Sequence, residues 1–162
     1  MDKYSISFDY QVVALGELSE EHRLLIKKAR EATKYSYSPY SNFTVGCSLL
    51  MKDGTIHSGA NQENASYGAT ICGERSTIFS AYNKGYRGEI TTIAVTGKMR
   101  SQQPGAEPIT PCGICRQVIN EEECLGGAPI TIIMDSYNDE RIMIVTGIKN
   151  LLPFAFGPGS MK

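Results

Sequence analysis

The 162-residue chain carries almost no net charge: sixteen Lys and Arg against seventeen Asp and Glu give a formal -1. No dense Lys/Arg block stands out, so the electrostatic footprint of a nucleic-acid binder is missing. No apolar run approaches the roughly 20 residues that span a bilayer, and no membrane partner is expected. Met1 to Tyr10 lacks the basic region and apolar core of a signal peptide, which points to the cytoplasm. A Gly-rich phosphate loop of the P-loop or dinucleotide type is also lacking, and with it any sign of an organic cofactor. Histidine occurs only at His22 and His57, outside every motif described below. Five cysteines, an odd number, argue against a disulfide framework. In a reducing compartment clustered cysteines bind metal or do redox work.

The length fits one domain. Residues 1–17 read as an N-terminal extension to it. Helix starts and stops, alternation and turn residues predict the order α, β, β, α, β, α, β, β. The first helix runs from an N-cap at Ser19 to about Lys34. Phe43 to Met51 alternates apolar with polar or small residues, as in a half-buried strand, and Asp53-Gly54 turns it into a hairpin ending at Ala60. A second helix is expected from near Ile71 to Asn83, with Gly85 as its stop. A third runs from Pro111 to about Glu123. Strands follow from Ile90, Pro129 and Arg141, and Gly97 to Thr110 reads as a loop. Helices interleaved with strands and one hairpin predict a part-antiparallel sheet with helices on both faces.

Chemistry concentrates in Cys72-Gly73-Glu74 and Pro111-Cys112-Gly113-Ile114-Cys115. Each piece sits at a predicted helix N-terminus, where the helix dipole favours the thiolate, the form that binds metal. Cys112 and Cys115 are one turn apart and share a side of their helix. If the two helix ends meet, three thiolates converge. Three protein ligands with an open fourth position suit a catalytic zinc. Glu74, two residues past Cys72, is placed for proton transfer. Alternatives stay open at this level. Cys112 and Cys115 alone could form a redox dithiol. A fourth ligand from Cys47 or Cys124, both read as small apolar residues in or near the core, would make the site structural.

Cys-x-Glu followed downstream by Pro-Cys-x-x-Cys is the zinc-deaminase signature in its three-cysteine form. At these residues the chain resembles the cytidine deaminase family, in its small homotetrameric branch. Tyr37 to Gly46 is similar to the family's segment leading into the first strand, and Asn61 to Tyr67 to its ribose-binding segment. Cys112 to Gln117, Leu151-Leu152-Pro153 and Phe156-Gly157-Pro158 also fit, so the likeness spans roughly Leu18 to Pro158.

The resemblance implies an α/β fold, a three-layer α/β/α sandwich around a five-stranded mixed sheet. It implies one Zn2+ per chain held by Cys72, Cys112 and Cys115, with Glu74 as proton shuttle. Asn61 and Glu63 would bind the ribose 3′-hydroxyl, Phe43 would pack on base or sugar, and the Gly73 N–H would face the pyrimidine carbonyl. Arg75 would hydrogen-bond the zinc thiolates, and Tyr67 and Phe156 would reach a neighbouring subunit's pocket. The expected reaction is hydrolytic deamination of free cytidine or deoxycytidine, zinc hydroxide attacking C4 while Glu74 moves protons. That would serve pyrimidine salvage. An acidic side chain at the sugar accepts a hydroxyl hydrogen bond and repels a phosphate. Gly73 replaces the Ala common in this branch, Phe154 a smaller residue, and Gly159 an acidic one.

Overall fold

The computed structural model describes residues 1–101 and 107–161. Its strands are β1 (Gln11–Val13), β2 (Phe43–Met51), β3 (Ile56–Ala60), β4 (Ile90–Met99), β5 (Thr131–Asp135) and β6 (Ile142–Thr146). Its α-helices are α1 (Glu20–Ala32), α2 (Gly73–Tyr82) and α3 (Gly113–Gly126). They form one sheet in the order β1-β6-β5-β4-β2-β3. Only β4 and β5 run parallel, joined by the α3 crossover; the other pairs are antiparallel. The sheet therefore has six strands where five are expected. The sixth is β1, inside the predicted N-terminal extension, and it pairs along β6 from Gln11 opposite Ile144.

Helix starts land within two residues of their sequence signals. Ser19 caps α1 by accepting from the His22 N–H at 3.2 Å, and α1 passes at Ala32 into a 3-10 turn, Thr33–Tyr35. The other two helices start later than their sequence signals, at Gly73 and Gly113, and α3 runs on to Gly126, where Gly127 ends it with φ 70°. Gly97 to Met99 of the expected loop extend β4. The part of that loop from 102 to 106 lies outside the described residues.

Helix α1 covers one face of the sheet, burying Leu25, Ile26 and Ala29 against Leu50, Ala94 and Ile133. Helices α2 and α3 cover the other, with Ile78 and Ile119 on Cys47, Leu49, Ile93 and Ile132. The layers are thus α/β/α. Strand β2 is buried on both faces rather than one, with all of Gly46 to Met51 inside. Its small residues mark helix contact, not solvent. Ser48 donates to Leu25 O at 2.6 Å, and a Cβ added at Gly46 would stand 2.0 Å from Ala29 O. Only glycine lets α1 come this close. With α2 and α3 on one face, both can point their N-termini at one place near the carboxyl end of β4, the usual crevice of such sheets.

Candidate metal and nucleoside site

Cys72 and Cys112 are themselves the N-cap residues of α2 and α3, and neither sulfur caps its own helix. Ser, Thr, Asp or Asn would normally stand there to satisfy the first N–H groups. The sulfurs turn toward each other instead. Cys72 Sγ lies 3.7 Å from Cys112 Sγ, Cys112 Sγ lies 3.4 Å from Cys115 Sγ, and all three fall within 4.8 Å of one another. Tetrahedral zinc with Zn–S bonds of ~2.3 Å separates its sulfurs by about 3.8 Å. The cluster fits that spacing, and two helix N-termini add positive potential for thiolates.

The donor set is limited to three sulfurs. Among the described residues no other group of three His, Cys, Asp or Glu could hold a metal. Cys47 is fully buried in the core, where desolvation pushes its thiol up and keeps it neutral. Cys124, expected in or near the core, is exposed near the far end of α3. Neither offers the fourth ligand of a structural site.

Cys72 and Cys115 perturb each other in opposite directions. Cys72 is drawn down to about 5, first by hydrogen bonding from Cys115 and also by Arg75. Cys115 is pushed up, first by that same contact with Cys72 and then by burial. A dication among them would favour the thiolate at all three. Arg75, one turn along α2 from Cys72, donates from Nη2 to Cys72 Sγ at 4.0 Å and to Thr70 O at 3.3 Å. Its Nε is buried and has no partner among the described residues.

Glu74 follows at the second position of α2 and is only 4% exposed. Burial pushes its carboxyl up to about 6, opposed by the N–H of its own helix start and reinforced by the Cys72 thiolate. A carboxyl near 6 can take up and release protons at neutral pH. The adjoining Gly73 packs against β2: a Cβ there would meet Val45 Cγ1 at 3.1 Å, a tight contact.

A cavity of ≈ 520 Å³ opens over these groups, lined by Phe43, Asn61, Glu63, Cys72, Glu74 and Cys112 among others. Its size suits a small organic ligand. It abuts a smaller cleft of ≈ 340 Å³ where Glu63 meets Tyr40 and Tyr67. Of the residues singled out by sequence, Tyr67 borders this cleft and is 75% exposed. Phe156 lies outside both cavities and is 58% exposed, with its carbonyl held by Gln117 Nε2 at 2.8 Å and Asn120 Nδ2 at 3.1 Å.

Asn61 and Glu63 follow β3 and are tightly engaged. Asn61 Oδ1 accepts from the Val45 N–H at 2.9 Å and from Ser36 Oγ at 2.6 Å, while Nδ2 donates to Phe43 O at 3.0 Å. Glu63 Oε2 accepts from the N–H groups of Tyr40 and Ser41 at 2.9 and 3.2 Å. Ser41 and those N–H groups hold the Glu63 carboxyl below its ordinary range. Sequence reasoning missed Ser36, whose hydroxyl fixes Asn61. It also missed Ile109 and Thr110, which line the cavity. These residues join the site through long-range packing, and nothing in their local sequence marks them.

The family model for the cytidine and deoxycytidylate deaminase zinc-binding region matches residues 19–124. The cytidine deaminase of Halalkalibacterium halodurans is 48% identical over 142 residues, covering 88% of this chain and 98% of that protein. The crystal structure of cytidine deaminase from Burkholderia pseudomallei matches with a TM-score of 0.73 at 41% identity, covering 83% of this chain and 98% of that one. Cytidine deaminase from Mycobacterium tuberculosis matches with a TM-score of 0.64 at 31% identity, over 86% of this chain and 99% of that one. The chain therefore belongs to the cytidine and deoxycytidylate deaminase family, and zinc is its cofactor.

Proposed function

We infer that the protein hydrolyses free cytidine and deoxycytidine to uridine and deoxyuridine, releasing ammonia. The observation that carries this reading is that the three-sulfur cluster and the Asn61/Glu63 pair meet at one cavity, with the buried Glu74 on its wall. Cys72, Cys112 and Cys115 would hold the zinc, which supplies the Lewis acidity that makes water nucleophilic at neutral pH. Glu74 would accept a proton from the attacking water and deliver it to N3 of the base, then take the proton of the new C4 hydroxyl and pass it to the departing amine. Arg75 would offset negative charge on the sulfurs. Phe43 would pack on the base or sugar, and the Gly73 N–H at the start of α2 would meet the pyrimidine carbonyl.

The sugar corner supports a free nucleoside. Asn61 has both lone pairs of Oδ1 and one N–H occupied, which leaves one N–H to donate. Glu63 is an ionised acceptor with Oε1 to spare. Together they suit a group that accepts one hydrogen bond and donates another, as a hydroxyl does. A phosphate beside Glu63 would meet like charge.

We also propose a single deaminase domain carrying residues 1–17 as an extension, assembled as a homotetramer in the cytoplasm and acting in pyrimidine salvage. Exposed Tyr67 and Phe156 support the tetramer, since both could enter a neighbouring copy's pocket. Light scattering at assay concentration should give four chains per particle; an active monomer would contradict it. Substrate class is tested by comparing cytidine, CMP, cytosine and single-stranded DNA at equal subsaturating concentration. Cytidine should be deaminated fastest, and faster turnover of CMP would overturn the nucleoside reading.

A further inference from the structure

Asn61 is oriented from outside the cavity. Its amide cannot be turned over, because Val45 N must donate to Oδ1 and Phe43 O must accept from Nδ2. The remaining lone pair of Oδ1 receives the Ser36 hydroxyl proton at 2.6 Å. Ser36 Oγ also meets Ser38 Oγ at 3.2 Å. Ser38 Oγ in turn accepts from Arg100 Nε at 3.3 Å and Nη2 at 3.2 Å. Arg100 Nη2 also donates to Ser36 O at 2.8 Å, and the Arg100 N–H donates to Asn42 O at 2.9 Å. Both serines are buried, and the guanidinium closes the chain at the surface.

The same segment holds Glu63. Tyr37, between the two serines, donates its N–H to Asn61 O at 3.1 Å and accepts from the Glu63 N–H at 2.8 Å. Residues 36–38 thus run beside residues 61–63 with Arg100 clamped on their outer side. Ser36, Ser38 and Arg100 are not among the residues lining the cavity, so their effect on substrate passes through Asn61 and Glu63.

We propose that Arg100 is a positioning residue for the sugar pair, acting through Ser38 and Ser36 to hold the Asn61 amide with one N–H directed at the substrate hydroxyl. The proposal rests on Asn61 and Glu63 binding that hydroxyl. Lysine could keep the charge near Glu63 but could not bridge the Ser36 carbonyl and the Ser38 hydroxyl with a planar fork. A charge effect and a positioning effect are therefore separable.

The test is the ratio of kcat/KM for deoxycytidine over 2′,3′-dideoxycytidine, which lacks the 3′-hydroxyl. A site built to bond that hydroxyl should favour deoxycytidine by ~10²-fold or more. Ser36→Ala and Arg100→Ala break the relay at opposite ends, so a folding failure in one leaves the other informative. Each should lower the ratio about tenfold, the worth of one hydrogen bond, with the loss falling on deoxycytidine. Arg100→Lys should behave like Arg100→Ala. An unchanged ratio in the two alanine variants, equal losses on both substrates, or full recovery in Arg100→Lys would each overturn the proposal. A wild-type protein that does not discriminate would instead overturn the sugar reading, and the proposal with it.

Discussion

The two corners of the cavity are built on opposite plans. In the metal corner, the sulfurs of Cys72 and Cys112 do no capping work for the helices they begin. Their geometry comes free with two helix starts, and the chemistry is separable from the fold apart from the metal itself. In the sugar corner, Asn61 closes three hydrogen bonds that tie β2 to the segments at residues 36 and 61. There the residue proposed to bind the sugar is also a structural one. Changes at the metal corner should silence the protein while leaving its architecture in place. Changes at the sugar corner should cost both.

The largest effect is expected from Cys112→Ala/Cys115→Ala, which leaves one sulfur of three. Zinc should fall from one per chain to near zero in an elemental determination, and deamination should vanish. Zinc retained in full would show that these sulfurs do not hold it.

Next comes Glu74→Gln. General acid–base help is worth ~10²–10⁴-fold, and Glu74 is proposed to make several transfers, so turnover should drop at or beyond the top of that range. Zinc content and thermal midpoint should hold, because a neutral amide replaces a carboxyl that burial already disfavours as an anion. Activity within tenfold of the parent protein would mean that another group moves the protons.

Asn61→Ala inverts that pattern. It should lower kcat/KM for cytidine by ~10²-fold. It should also cost about 1–3 kcal/mol of stability, since the buried Val45 N–H loses its acceptor. A lost activity with an unshifted melting transition would break the contrast between the corners.

These contrasts track what was legible in the sequence. The metal corner could be read because its spacing is local: Cys72 to Glu74 and Cys112 to Cys115 lie within single helical turns. The supports of the sugar corner could not. Ser36, Asn61 and Arg100 are brought together by pairing among distant segments, and an isolated serine or arginine carries no periodic signal. Two misreadings of the fold share that cause. Strand β1 is three residues long, and its place is set by β6, about 130 positions away. The small residues of β2 resemble a solvent face until α1 is laid on them. Signals carried by one element's own period survive reading from sequence, whereas those set by a partner do not.

Arg75→Gln should give the smallest loss, roughly tenfold in activity or zinc affinity, as for groups that support metal ligands from behind. Zinc affinity and turnover unchanged together would show that its contact with Cys72 Sγ is incidental.

Most directly, the account is tested by stripping the metal with a chelator and following uridine formation from cytidine as zinc is returned. Activity should be absent at the start, rise in proportion to zinc added, and level off at one zinc per chain. Cytidine conversion by the metal-free protein at the full rate, or none at one zinc per chain, would contradict it.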